Sequence, residues 1–143
     1  MIHKKFTLKV EKEGDLTLGI SNYRPTMILY ADKSEKILER QTVTVKTGIK
    51  KITSESGGII FHILGEAPTE SNHYIETTSS FVGLNEEITV DKTNHHHCEY
   101  NLNKDDDISK MVGLRCFTGE FVAVDSLEET NRGEKGFGST GVL

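Results

Sequence analysis

At 143 residues and 16.0 kDa the chain is sized for one domain with a modest core. Its 17 basic residues against 22 acidic ones give a net charge of -5, which argues against sequence-independent attachment to duplex nucleic acid, so any phosphate site has to be local. Low mean hydropathy, no apolar run of membrane-spanning length and a start (MIHKKFTLKV) without a signal-peptide core predict an intracellular protein with no membrane partner, cytoplasmic or, in a eukaryotic host, nuclear.

Taken in chain order, the apolar residues alternate with a period of two. Phe6, Leu8 and Val10 alternate with Thr7 and Lys9, which predicts a first strand. Ser34 to Arg40 is the best candidate for a single helical turn. Val43 and Val45 alternate with Thr42, Thr44 and Lys46, and Ile59 to Leu64 (IIFHIL) reads as a largely buried strand. Within it, His62 is expected to be a hydrogen-bonded core or interface residue rather than a catalytic one. Met111 to Phe117 predicts another strand, and Phe121 to Val124 is a short β-favouring run. No window sustains a 3.6-residue apolar stripe. With 13 glycines punctuating short strands, the expected class is an all-β sandwich or barrel without internal repeats.

Two clusters invite metal chemistry. Asn94 to Cys98 (NHHHC) holds candidate zinc ligands, but successive strand residues point to opposite faces, so only a loop could gather some of them, and no metal site is assigned. Asp105, Asp106 and Asp107 lack the spacing and terminal glutamate of a calcium loop and read as a solvated turn. Cys98 and Cys116 form no C-x-x-C pair and are expected as reduced thiols.

The last dozen residues (RGEKGFGSTGVL) carry the strongest binding signal. Gly133, Gly136, Gly138 and Gly141 let backbone amides approach an anion closely. Arg132 offers a donor fork, Ser139 and Thr140 add hydroxyls, and Phe137 gives a face on which a base can stack. This is the chemistry of a clamp for a phosphorylated, ring-bearing ligand.

Leu127 to Gly141 closely resembles the C-terminal arm of the trimeric dUTPases, an arginine and glycine, two variable residues, then GFGSTG. The resemblance implies a distorted jelly roll at residues 1–127, with an arm at 128–143 that crosses to a site between neighbouring subunits of a homotrimer. By the same resemblance Phe137 stacks on uracil while Arg132, Ser139 and Thr140 hold the phosphates of a deoxyuridine nucleotide. The reaction implied is hydrolysis of dUTP to dUMP and pyrophosphate, assisted by Mg2+ carried on the nucleotide phosphates.

The body matches the family less closely. Leu29-Tyr30-Ala31 and Val43 to Ile49 resemble the first motif and its downstream strand, and Ile88 to Asn94 the strand after the third motif. Lys104 to Met111 occupies the place of the fourth, with Lys110 where the family has glutamine, either a point charge for phosphate or a solvated strand residue. Ile28 stands in place of the first-motif aspartate, and an alkyl group cannot ligate magnesium. Glu66 falls where the second motif supplies an arginine. The third-motif aspartate that activates water is missing, and Glu86 or Glu87 could replace it only on a rebuilt loop. The alternative implied is a noncatalytic relative that binds nucleotide or protein, or lends its arm to a complete subunit in a mixed trimer.

Overall fold

Alternation of β-branched and polar residues commits nearly every segment to strand, because branched side chains pack well on a pleated surface with one wet face. In the computed structural model, which describes residues 8–14, 19–20, 26–55, 57–117 and 119–127, twelve strands and one 3₁₀ turn (Glu70–Asn72) follow. They are β1 Leu8–Lys12, β2 Gly19–Ile20, β3 Thr26–Tyr30, β4 Glu35–Ile37, β5 Thr42–Lys46, β6 Ile49–Ser54, β7 Ile59–Ile63, β8 Ile75–Thr77, β9 Ser80–Gly83, β10 Thr89–Asn94, β11 Tyr100–Leu102 and β12 Asp107–Arg115. Phe6 and residues 128–143, with every arm position from Arg132 to Gly141, lie outside the described residues.

A five-stranded antiparallel sheet in the order β2-β3-β12-β7-β9 faces a three-stranded one, β5-β10-β8, with the pairs β1-β6 and β4-β11 closing the sides. Leu29, Phe61, Ile63 and Met111 point inward from the first sheet and meet Val45 and Val90 from the second, with Ile49 and Ile52 of β6 filling between them. Two inner faces interdigitating in this way make a β-sandwich of jelly-roll type. No helix among the described residues is long and apolar enough to cross a membrane.

Two expectations are corrected. Ser34 to Arg40 forms no helical turn: Glu35–Ile37 is a strand, because Ile37 is fully buried and its backbone pairs with Tyr100 of β11. A long-range partner outweighs a weak local preference. Phe121 to Val124 forms no strand either, since β propensity needs a neighbour to pair with, and the run lies in the exposed segment after β12. His62 is half-buried, with Nε2 2.8 Å from Ser79 Oγ and its ring stacked on Phe81 at 4.6 Å. Both cysteines are free and exposed.

Candidate functional site

The inward positions of β10 are Val90, Lys92 and Asn94, so strand alternation places an ammonium in a core row. Lys92 is only 8% exposed and its Nζ donates to Thr77 Oγ1 at 2.6 Å, directly across from it on β8. Burial lowers the Lys92 pKa from the ordinary lysine value, while the nearby carboxylates of Glu66 and Asp107 partly oppose the shift. These groups line a cleft of about 520 Å³ between the two sheets, together with Leu64, Ser109 and Lys110.

Local backbone devices shape the opposite wall. The β12–β3 pairing runs Asp107↔Tyr30 and then Ser109↔Leu29, so Ile108 is the extra residue of a bulge. Ile108 is buried in the core and, with its neighbours Asp107 and Ser109, also lines the cleft. Ser109 Oγ donates to Leu64 O at 2.8 Å, and the Leu64 amide donates to Lys110 O at 2.9 Å, which ties the chain after β7 to β12. Glu66 then forms an isolated bridge with Thr77 through two 2.9 Å backbone bonds. Gly65 makes this approach possible: a Cβ there would sit 2.8 Å from the Ser79 amide nitrogen and 3.0 Å from Thr77 O. Only glycine fits without moving backbone.

Two lysines, Lys92 and Lys110, line the cleft, and the carboxylates of Glu66 and Asp107 lie near the Lys92 ammonium. Lys92 and Lys110 can attract an anion, and Glu66 and Asp107 temper that attraction or accept hydrogen bonds from a sugar or base. The donor set does not suit a magnesium ion held by protein alone. Its two carboxylates already flank an ammonium, and Ile28, directly opposite Lys110 in the β3–β12 register, offers no oxygen.

Among the residues singled out from sequence, Lys110 lines the cleft and Glu66 joins it. Glu86 and Glu87 do not. Ser80 pairs with Ile63 and Gly83 with Ile60, so β9 runs away from the cleft and delivers both glutamates to an exposed turn at its far end. That turn is fastened to β6 by the Asn85 amide on Ile52 O and the Ile88 amide on Ile49 O. Lys92 and Thr77 were not singled out, and Asp107, expected in a solvated turn, instead begins β12 and lines the cleft. The alternation of β10, counted from Val90, points to Lys92 as an inward charge, but its partners come from segments 15 or more positions away and leave no local signal.

A two-sheet antiparallel sandwich with a charged cleft between its layers is a jelly-roll domain. The chain belongs to the dUTPase family, whose profile matches residues 28–141. It is 30% identical over 117 residues to the deoxyuridine 5'-triphosphate nucleotidohydrolase of Antonospora locustae, covering 80% of each chain. With the enzyme of the same description from Vaccinia virus (strain Copenhagen) it shares 43% over 55 residues, 38% of this chain and 37% of that one. Among solved structures, a variant of the dUTPase from Staphylococcus aureus phage phi11, described with a structural Mg(II) ion, superposes with a TM-score of 0.73 at 11% identity, covering 86% of this chain and 99% of the other. A variant of the Staphylococcus bacteriophage 80alpha dUTPase with dUpNHpp gives 0.72 at 16% identity, over 95% and 99%. At these identities the structural likeness speaks for the fold.

Proposed function

We propose that the protein binds deoxyuridine triphosphate between the subunits of a homotrimer and hydrolyses it to dUMP and pyrophosphate. The observation that carries this reading is the cleft that Lys110 and the buried Lys92 both line, built from the segments that occupy the second and fourth motif places of the family. Lys110 acts as a point charge toward a phosphate, and Lys92 raises the positive potential beneath it. The arm of a neighbouring copy closes the site, with Phe137 on the uracil, Arg132, Ser139 and Thr140 on phosphate oxygens, and the amides of Gly133, Gly136, Gly138 and Gly141 around them. Magnesium enters with the nucleotide phosphates. Glu86 or Glu87, at the far end of the sheet, serves as general base only when a second copy brings that turn to the cleft of the first.

A second reading, a nucleotide-binding relative without turnover or an arm donor in a mixed trimer, is favoured by Ile28 facing Lys110 where the family has a carboxylate. One assay separates the two: pyrophosphate release from dUTP and magnesium by the purified chain, beside Phe137→Ala and the Glu86→Gln, Glu87→Gln double variant. Hydrolysis predicts release that falls about 10²-fold or more in the double variant. Binding without release, weakened in Phe137→Ala and turned into release by adding a complete dUTPase subunit, selects the second reading. Neither binding nor release sinks both.

A further inference from the structure

The His-rich stretch leaves the strand at the point where alternation would have scattered its ligands. β10 ends at Asn94 and β11 begins at Tyr100, so residues 95–99 form a loop. His95 turns away, its Nε2 2.6 Å from Glu76 Oε1. His96, His97 and Cys98 turn together instead, and one ligand atom from each lies within 4.8 Å of the others.

A buried residue holds this arrangement from below. Asn94 is fully buried, and its Nδ2 donates to Cys98 O at 2.8 Å and to Ile37 O at 3.0 Å, while its Oδ1 accepts the His96 amide at 2.8 Å. The loop is therefore anchored to β4 as well as to β10. The imidazole of His96 is flanked by the rings of Tyr74, at 5.3 Å between centroids, and His97, at 4.2 Å. His96 and Cys98 also border a cleft of about 260 Å³ that Glu70, Glu99 and Tyr100 help to line.

We propose that His96, His97 and Cys98 form a zinc-binding site with its fourth position open to that cleft. Two imidazoles and a thiolate are ligands that zinc prefers over magnesium or calcium. Bond lengths of about 2.0–2.3 Å put tetrahedral ligand atoms roughly 3.5 Å apart, so closing from 4.8 Å requires only rotation of side chains that are exposed or half-buried. On binding, the Cys98 thiol releases its proton to solvent and its sulfur donates a lone pair to the ion. Each histidine binds as neutral imidazole through one ring nitrogen. His96 Nδ1 accepts the Cys98 amide at 3.1 Å, and coordination through either nitrogen of that ring gives up this bond.

The test uses the full chain, reduced and stripped of metal, titrated with Zn2+ against a chromophoric chelator, and separately with Co2+ to read thiolate coordination from its near-ultraviolet charge-transfer band. The expected result is one equivalent of zinc bound, with the charge-transfer band present. Cys98→Ser should abolish the band and weaken zinc at least tenfold, His97→Ala should weaken it at least tenfold, and Cys116→Ser should change neither. All three substitutions fall at exposed positions, and circular dichroism checks that each variant is folded. Failure to take zinc from the chelator, equal affinity in Cys98→Ser, or a band that follows Cys116 overturns the assignment.

Discussion

Lys92 and Asn94 occupy successive inward positions of one strand and have opposite effects on stability. Asn94 is satisfied: three side-chain hydrogen bonds join β4, β10 and the loop after it. Asn94→Ala strands two carbonyls and an amide, and should destabilise the fold by about 2–4 kcal/mol in urea unfolding. Lys92 has one short bond to Thr77, and its lowered pKa says that burial outweighs the attraction of Glu66 and Asp107. Just below the ordinary value of 10.5 the unfolded chain therefore binds more protons at this group than the folded one, so raising the pH through that region favours the fold. Lys92→Met should then stabilise the protein at neutral pH by removing the buried ammonium. The difference should shrink as unfolding is measured at pH values closer to 10.5; a difference that stays constant or grows would contradict the burial argument. Lys110, the exposed cation of the cleft, should show the reverse balance: Lys110→Ala leaves the melting temperature unchanged and weakens dUTP binding several-fold, read by calorimetric titration.

Elements become functional here through their irregular points. The bulge at Ile108 breaks the regular register of β12 against β3 where that strand borders the cleft, and Gly65 lets the chain after β7 press against β8. Gly65→Ala would push a methyl group into the Ser79 and Thr77 backbone, breaking the Glu66–Thr77 bridge. A loss of about 1–3 kcal/mol in stability is expected, accompanied by weaker nucleotide binding because that bridge sets one wall of the cleft. β1 and β5 were readable from alternation, β7 and the second half of β12 from apolar β-favouring runs, and β10 only from the family resemblance. β4 was not readable, because three residues carry too little pattern and its pairing with β11 lies more than 60 positions downstream. Phe121 to Val124 shows the converse: high strand preference without a partner edge gives no strand.

Among the described residues, exposed apolar surface gathers on the larger sheet's outer face and after β12. Across the outer face of the larger sheet Phe81, His62 and Val112 form one cross-strand row, and Ile60 and Leu114 follow in the next. After β12, Phe117 and Phe121 are completely exposed, with Val122, Val124 and Leu127 close behind. Contiguous apolar surface of this kind suits a protein–protein contact. Light scattering on the purified chain should give about three times the 16.0 kDa chain mass, and Phe81→Asp should shift it toward the monomer by placing a charge in the contact. A monomeric mass for the unaltered chain would remove the between-subunit site, since Glu86 and Glu87 cannot reach the cleft of their own subunit from the far end of β9.

The amino-acid order by itself determined the all-β class, several of its longer strands and the dUTPase-like arm pattern. These are local properties, recorded in alternation and in the spacing of a few residues. Tertiary pairing decided the contents of the cleft, where Lys92, Glu66 and Asp107 meet from three separate strands or strand ends, and it placed Glu86 and Glu87 at the other end of the sheet. It also took His96, His97 and Cys98 off the strand and onto one loop. The physical reason is that strand alternation is set by each residue's own backbone, whereas the meeting of distant charges depends on register, and register is fixed only when whole sheets bury their faces together.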